Sequence, residues 1–184
     1  MTICITGMPY SGKSEAAAAL RRKGFRIVEM SDSVRELMKK ERVIAKSVDE
    51  FAVGERRRSG KAVFAKLTAK RVTKPLSKLV INGVRSVDEI RYLKRELDPK
   101  LLVVAITSPR ELRYERFLKN KDASKYSYKE FLSHDRCNMK LGIGKVITRA
   151  DIVIANTGKI AELRSDVNKM IKMVESEWNF SSRE

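Results

Sequence analysis

The chain has 184 residues, 42% of them hydrophobic and 34% charged, and its formal net charge is +17. This length suits one domain with its own core, and no apolar run approaches the ~20 residues of a membrane span. The two cysteines, Cys4 and Cys137, stand far apart, which excludes a disulfide-rich scaffold and predicts a reduced, cytoplasmic protein. The positive charge fits an anionic ligand, RNA or DNA, or simply a basic surface. We expect a monomer or a homodimer.

The strongest functional signal lies in the first fourteen residues. The apolar run T-I-C-I-T at residues 2–6 leads into G-M-P-Y-S-G-K-S, which fits the phosphate-binding pattern G-x-x-x-x-G-K-[ST], and helix-forming alanines follow. In such a loop the backbone N–H groups and the helix dipole bind a polyphosphate, the lysine reaches the terminal phosphates, and the serine hydroxyl binds Mg²⁺. We therefore predict ATP and Mg²⁺ as cofactors, with the nucleotide contacted by Gly7, Met8, Pro9, Tyr10, Ser11, Gly12, Lys13 and Ser14.

Strand and helix patterns alternate along the rest of the chain. Ser31-Asp32 is expected to cap the second helix, Ser86 to form a capping box with Glu89, and Ser108-Pro109 to open a later helix with proline at its first position. In the first half of the chain we expect a strand over 25–30, a helix over 33–40, a cation-rich helical segment over 48–74, a strand over 79–81 and a helix to about 97. In the second half we expect a strand over 101–106, a helix to about 118, a polar segment over 119–127 and a helix over 128–139. A turn over 141–144, a strand over 152–155 and a helix to about 178 complete the prediction.

Five β-runs that alternate with helices predict a three-layer α/β sandwich with a five-stranded parallel sheet. Right-handed crossovers place the C-terminal ends of all strands on one edge of the sheet, so the residues that follow the strands should lie together. These residues are the glycine loop, Asp32, Asn82 and Asn156. Asp32 is either a helix cap or a carboxylate that holds Mg²⁺ waters or an acceptor hydroxyl, and the two roles are compatible.

Four motifs carry a family resemblance. They read T-G-M-P-Y-S-G-K-S-E at residues 6–15, M-S-D-S-V-R at 30–35, N-G-V-R-S at 82–86 and L-G-I-G-K-V-I-T-R-A-D-I-V-I-A-N at 141–156. Together they resemble an archaeal P-loop family related to adenylate kinase and dephospho-coenzyme A kinase, and the resemblance covers nearly the whole chain. It implies a nucleoside monophosphate kinase-like P-loop domain, with an acceptor-binding helical insert over about 32–75 and a lid over about 119–140. It also implies that the loop around Asn156 meets the adenine ring, where the alternative is a plain turn.

Arginines suit phosphoryl transfer, because guanidinium groups bind phosphates bidentately and stabilise a charge-dispersed transition state. Arg35 and Arg85 follow strand ends and could clamp an acceptor phosphate. Arg113 and Arg116, with Arg136, could close on the donor phosphates; for any of them the alternative is a solvated helix face. We therefore predict a catalytic set of Lys13, Asp32, Arg35, Arg85 and Arg116, with Arg113 and Asn156 as further nucleotide contacts.

Three positions depart from the family pattern. Asn82 stands where a carboxylate is expected; with Ser14 it is our predicted metal site, and Asn82→Asp should raise Mg²⁺-dependent turnover if the protein is a weakened kinase. Tyr10 replaces a small loop residue and should require a negative φ or an outward-pointing ring. The lid offers Lys119 and Lys121 in place of arginine. The single histidine, His134, is interpreted as a surface residue.

Two functions remain open from the sequence. The first is an ATP- and Mg²⁺-dependent small-molecule kinase or ATPase with a nucleotide or nucleotide-like phosphate acceptor. The second is a nucleotide-dependent RNA-binding or assembly factor with weak or no kinase activity, suggested by the net charge and by Arg56-Arg57-Arg58. Aromatic platforms, which single-strand binders usually interleave with their cations, are missing beside these arginines.

Overall fold

The computed structural model describes residues 1–43, 48–72, 77–119 and 127–180, with side chains described to residue 176. Its centre is a sheet of five parallel strands in the order β2-β3-β1-β4-β5. The β-branched and apolar residues of these runs suit strands that are covered on both faces. The strand bounds are Thr2–Thr6 (β1), Arg26–Glu29 (β2), Leu79–Asn82 (β3), Leu102–Thr107 (β4) and Ile152–Ala155 (β5).

Helices connect the successive parallel strands. Their bounds are Lys13–Arg21 (α1), Met30–Lys40 (α2), Val48–Ser59 (α3), Val63–Lys70 (α4), Val87–Glu96 (α5), Arg110–Leu118 (α6), Tyr128–Lys140 (α7), Ile143–Ile147 (α8) and Ile160–Phe180 (α9). None of the helices within the described ranges is both long and apolar enough to cross a bilayer.

Alternate residues of the central strand enter two different cores. Ile3 and Ile5 of β1 pack against α1 and α9, while Cys4 between them packs on the opposite face against α2 to α5. All three side chains are buried. The predicted three-layer α/β sandwich with a five-stranded parallel sheet is therefore confirmed, and every strand ends at the same edge of the sheet.

Several element boundaries differ from the prediction. Helix α2 begins at Met30 with Glu29 as its N-cap, so Ser31 and Asp32 lie in the first helical turn and are not the cap. The predicted segment 48–74 divides into α3 and α4, because Gly60 takes a φ of +95° between them. Pro109 is the N-cap of α6 and not its first helical residue.

The remaining local predictions concern a capping box, a turn and three segments that are only partly described. The capping box of Ser86 and Glu89 is present at the start of α5. The predicted turn over 141–144 is shorter than expected, since α8 begins at Ile143 directly after a left-handed Gly142. Residues 73–76, which include the predicted end of the cation-rich segment, most of the predicted polar lid segment at 120–126, and the tail after residue 180 lie outside the described residues.

Candidate functional site

The phosphate-binding loop joins β1 to α1 and depends on two glycines. A Cβ on Gly7, which has a φ of +145°, would lie 2.2 Å from the backbone oxygen of Ile106 in β4. A Cβ on Gly12, with a φ of +104°, would lie 2.3 Å from Nδ2 of Asn156. Both contacts are far below van der Waals distance, so these positions admit only glycine.

Three consecutive carbonyls of the loop are held by side chains from distant elements. Arg113 donates to the oxygen of Pro9 (3.2 Å), Arg116 to that of Tyr10 (3.3 Å) and Asn156 to that of Ser11 (2.8 Å). The N–H of a trans peptide points away from its C=O, so the three N–H groups that follow these carbonyls point to the other side. One of them, the N–H of Ser11, already donates to the oxygen of Met8 (3.2 Å). The loop is thereby shaped so that an anion could be contacted by its remaining N–H groups.

Arg113 and Arg116 are anchored by further contacts. Arg113 forms a bidentate pair with Asp135 of α7 (2.7 and 2.6 Å), and both residues are buried. Arg116 also donates to Oγ of Ser108 and to the backbone oxygen of Asn156. The three residues predicted to touch the nucleotide thus lie against the loop backbone, and a direct contact between any of them and a nucleotide stays a prediction.

The loop lysine folds back over its own loop. Nζ of Lys13 donates to the oxygen of Met8 at 2.8 Å. Burial lowers the pKa of Lys13 to about 7, and the positive charges of Arg85 and Arg113 add to this effect. The lysine therefore sits where an anionic ligand would restore its charge.

Tyr10 does not meet the first of the two conditions predicted for it. Its φ is +62°, a conformation that non-glycine residues rarely adopt. Its ring packs edge-on against Phe117 of α6 with 5.3 Å between the ring centroids. That packing and the hydrogen bond from Arg116 to its carbonyl account for a strained residue in the loop.

A pocket of about 160 Å³ opens beside the loop, between the ends of β2 and β3 and the helices α2 and α3. It brings together Lys13, Ser14, Asn82 and Arg85 from the predicted set. Its lining is completed by Glu29, Met30, Ser31, Val34, Val48, Asp49, Ala52, Arg56 and Gly83. The loop and the pocket therefore share Lys13 and Ser14.

The charge that Asn82 lacks is present on the neighbouring strand. Glu29, the last residue of β2, pairs with Asn82 in the sheet register, and Nδ2 of Asn82 donates to both of its carboxylate oxygens (3.0 and 2.9 Å). The structure therefore corrects the reasoning behind Asn82→Asp. An aspartate at position 82 would remove this donor and place two carboxylates within hydrogen-bonding distance, where their repulsion disfavours both being ionised.

The chemistry of these residues fits Mg²⁺. Oδ1 of Asn82 is buried and has no hydrogen-bond partner within the described part of the chain, and Ser14 contributes a hydroxyl to the same pocket. Oxygen donors of this kind suit Mg²⁺, which keeps several waters and also uses substrate phosphates. The described residues contain no group of three or more His, Cys, Asp or Glu side chains that could hold a metal by themselves.

Asp49 connects three elements at the mouth of the pocket. Its Oδ1 accepts a hydrogen bond from Arg85 at 2.6 Å, and its Oδ2 lies 3.1 Å from Nδ1 of His134 in α7. Burial opposes ionisation of Asp49, but the hydrogen bond with His134 and the charge of Arg85 outweigh it and hold the pKa of Asp49 below its usual range. The hydrogen bond to Asp49 in turn raises the pKa of His134. His134 is therefore a half-buried partner of Asp49 and not the isolated surface residue that we expected.

Asp32 and Arg35 lie away from this pocket. They pair with each other at 3.0 Å on the exposed side of α2, and Asp32 lines a separate depression together with Glu36 and Arg71. The cause is the early start of α2, which makes Glu29 the residue at the strand end and turns Asp32 outward. Arg136 and Lys119 are exposed, and Lys121 lies outside the described residues. Arg85 thus lies in the pocket and Arg35 does not, and an acceptor contact by either residue stays a prediction.

The arginine run of α3 is not a continuous cationic surface. Arg56 is buried, where it pairs with Glu89 and stacks over the ring of Phe64 at 4.7 Å. Arg58 pairs with Glu41 and Glu55. Two of the three arginines behind the RNA hypothesis therefore have carboxylate partners within the protein.

Two site residues were missed from the sequence. Glu29 is the acidic residue near the end of the predicted strand F-R-I-V-E-M, which is a usable signal, but that strand was predicted to extend past it to Met30. Asp49 is one of two acidic residues at the start of a strongly basic segment. An acidic pair in the first turn of a helix is ordinary, since the helix dipole favours it, so that signal is weak.

Comparisons with known proteins place the chain in a family. Residues 3–134 match the family model described as an AAA domain. A UPF0200 protein of Sulfurisphaera tokodaii is 36% identical, with 94% of this chain and 96% of the relative covered. The chain belongs to the UPF0200 family. A UPF0200 protein of Pyrococcus horikoshii is 33% identical, with 97% of this chain and all of the relative covered. The predicted resemblance to an archaeal P-loop family is thus confirmed.

Several solved structures have a fold similar to that of this UPF0200 member. TT1252 from Thermus thermophilus superposes with a TM-score of 0.65 at 23% identity, covering 96% of this chain and 97% of that one. Shikimate kinase from Acinetobacter baumannii gives a TM-score of 0.59 at 15% identity, covering 96% and 93%. At these identities the likenesses concern the fold alone, and they agree with the α/β architecture described above.

Proposed function

We propose that this UPF0200 protein transfers the γ-phosphate of ATP, in the presence of Mg²⁺, to a small-molecule acceptor; our sequence-based expectation is that the acceptor is nucleotide-like. The observation that carries the proposal is the shared wall of the loop and the pocket. Lys13 and Ser14 belong to the phosphate-binding loop and also line the pocket, so a donor γ-phosphate and an acceptor would meet there.

Each part of the site has a role in this proposal. The loop N–H groups and Lys13 bind the donor phosphates, and the carbonyl contacts from Arg113, Arg116 and Asn156 keep the loop in that shape. Arg85 lies at the pocket wall to orient the acceptor. Mg²⁺ would neutralise charge on the donor phosphates when bound, and Ser14 and Asn82 are the residues that would hold it. Val48, Asp49 and Ala52 of α3 line the acceptor side of the pocket, and the acceptor-binding insert over about 32–75 and the lid over about 119–140 stay predictions.

Lys13→Ala tests the proposal directly. We expect ATP affinity to fall by more than tenfold and any turnover to disappear while the fold is kept, because within the described residues the hydrogen bond of the ammonium is to one backbone oxygen, and its proposed partner is the ligand. Binding is measured with a fluorescent ATP analogue, and the fold by circular dichroism. A variant that binds and hydrolyses ATP as well as the wild type would exclude this loop as the site. Lys169→Ala, on the exposed side of α9, is the matched control.

A screen of acceptors then tests transfer. ADP formation is followed with AMP, other nucleoside monophosphates, dephospho-coenzyme A and small alcohols as acceptors. Tight ATP binding without product from any of them would reject the kinase proposal and leave a nucleotide-binding protein.

A further inference from the structure

The cations that line the pocket are already occupied. Arg85 is paired with Asp49 at 2.6 Å, and Arg56 is paired with Glu89. Lys13, which belongs to the donor loop, contacts the oxygen of Met8. The lining also carries two carboxylates, Glu29 and Asp49, so none of the lining cations within the described residues is free for an acceptor.

An acceptor phosphate is poorly matched to this arrangement. A phosphate monoester brings up to two negative charges, and its binding is favoured by cationic groups, above all guanidinium forks, that are not already paired with carboxylates. Here it would have to displace Asp49 from Arg85, which breaks an ion pair, and it would face the carboxylate of Glu29, which repels it. In a partly desolvated pocket both the broken ion pair and the repulsion are unfavourable.

Glu29 is well placed for a different acceptor. Each carboxylate oxygen accepts from Asn82, yet a carboxylate has about four lone-pair sites, so acceptor capacity remains on Glu29. The side chain lines the pocket wall beyond the ends of the strands, on the same pocket as Lys13 and Ser14. A carboxylate in this position can accept the proton of a hydroxyl group, as carboxylates do in other phosphoryl-transfer sites.

We propose that the acceptor presents a hydroxyl group and not a phosphate, and that Glu29, positioned by Asn82, takes the hydroxyl proton. This inference rests on the proposed phosphoryl transfer from ATP. The hydroxyl oxygen forms a bond to the γ-phosphorus while the bond from that phosphorus to the β–γ bridging oxygen breaks. The bonding electron pair leaves with ADP, and the proton passes to an Oε of Glu29. The acceptor therefore belongs to the alcohols, such as polyols, hydroxy acids, sugars or nucleosides.

Water serves as the simplest hydroxyl probe, because it can replace the acceptor in slow ATP hydrolysis. Glu29→Gln keeps the shape of the side chain but cannot take up a proton. We expect it to lower ATP hydrolysis, and transfer to any alcohol that the wild type uses, by about 100-fold or more, with ATP affinity within about twofold of the wild type. Glu36→Gln on α2, an exposed carboxylate outside the pocket, is the matched control and should leave both unchanged.

The acceptor panel contains glycerol, glycerate, ribose and adenosine as alcohols, and AMP and UMP as phosphate acceptors. Transfer to an alcohol, or hydrolysis alone, that is lost in Glu29→Gln supports the proposal. Transfer to the phosphate of AMP or UMP, which yields the nucleoside diphosphate, overturns it. Glu29→Gln with wild-type turnover also overturns it, and so does Lys13-dependent ATP binding without turnover on any acceptor, water included. A wild type that does not bind ATP would refute the proposed function itself, which keeps the two failures distinct.

The double variant Glu29→Gln/Asn82→Asp distinguishes the position of the charge from its presence. It restores an amide–carboxylate hydrogen bond across the two strands but moves the negative charge to β3. If Glu29 is the proton acceptor, the double variant regains stability without regaining turnover. Recovery of turnover together with stability would show that the site needs only a nearby negative charge, and the assigned role of Glu29 would be wrong.

Discussion

The phosphate-binding loop and the adjoining pocket share two residues but are built in different ways. In the loop, a contiguous motif shapes the backbone, and distant side chains hold its carbonyls from outside. In the pocket, side chains hold one another: Asn82 holds Glu29 from 53 positions away in the chain, and Asp49 holds Arg85 from 36 positions away. A function that depends on backbone atoms can be recognised from a short motif, whereas one that depends on paired side chains cannot.

Removing a side chain that holds the loop should have the largest effect on stability and on ATP binding. Asp135→Asn leaves Arg113 buried without a charged partner, so we expect a loss of about 3–5 kcal/mol in the free energy of unfolding and weaker ATP binding. Denaturant unfolding and an ATP titration measure the two effects. The control is Asp166→Asn, whose partner Lys169 is exposed, with an expected change below about 0.5 kcal/mol. Equal effects of the two substitutions would refute the supporting role of Arg113.

Within the loop itself, Gly7→Ala separates steric overlap from backbone strain. The new methyl group would lie 2.2 Å from the oxygen of Ile106, so we expect a destabilisation of about 3 kcal/mol and loss of ATP binding. Gly24→Ala also requires a positive φ but would meet no atom within 4 Å, and should cost about 1 kcal/mol without affecting ATP binding. Thermal unfolding and ATP titrations of both variants make the comparison.

Lys13 links the two regions through its pKa, which burial and the neighbouring arginines lower to about 7. Between pH 7 and the pKa of an unfolded lysine, the unfolded chain binds more protons at this residue than the folded chain, so stability should rise with pH in that window. Bound phosphates favour the charged lysine, so ATP binding at pH 8.5 should take up about one proton, as measured by calorimetry in two buffers of different ionisation enthalpy. Lys13→Arg, which stays charged, should show no uptake; uptake that is equal in both proteins would exclude Lys13 as its source.

The smallest expected effect concerns the affinity of the pocket for a phosphate monoester, which depends on Asp49. Asp49→Asn removes the charge that occupies Arg85, so a phosphate monoester should bind more tightly, by roughly fivefold, which corresponds to about 1 kcal/mol. AMP affinity measured by calorimetry for the wild type and the variant tests this expectation. Asp88→Asn, in an exposed pair on α5, is the control. Unchanged AMP affinity in Asp49→Asn would mean that the pairing of Arg85 does not govern anion binding here.

Much of the fold follows from local patterns. The strand runs, the glycine loop and the capping box at Ser86 are each specified by residues that lie close together in the chain, and all of them were found in the sequence. Predictions failed where one residue shifted a boundary. Because α2 starts at Met30, Glu29 takes the position at the sheet edge that had been expected for Asp32.

By itself, the sequence determined the phosphate-binding loop, the parallel α/β architecture and the membership of a P-loop family, because these depend on local spacing and on alternating hydrophobic runs. Only the tertiary structure decided which charges face the pocket. The sheet register sets Glu29 beside Asn82, and the packing of α7 near α3 brings His134 to Asp49. Such pairings join residues that are far apart in the chain, and an ion pair leaves no periodic trace in a sequence. From the sequence, Arg56, Arg85 and Arg113 were interpreted as cations available to bind phosphates. In the structure each of them is paired with a carboxylate.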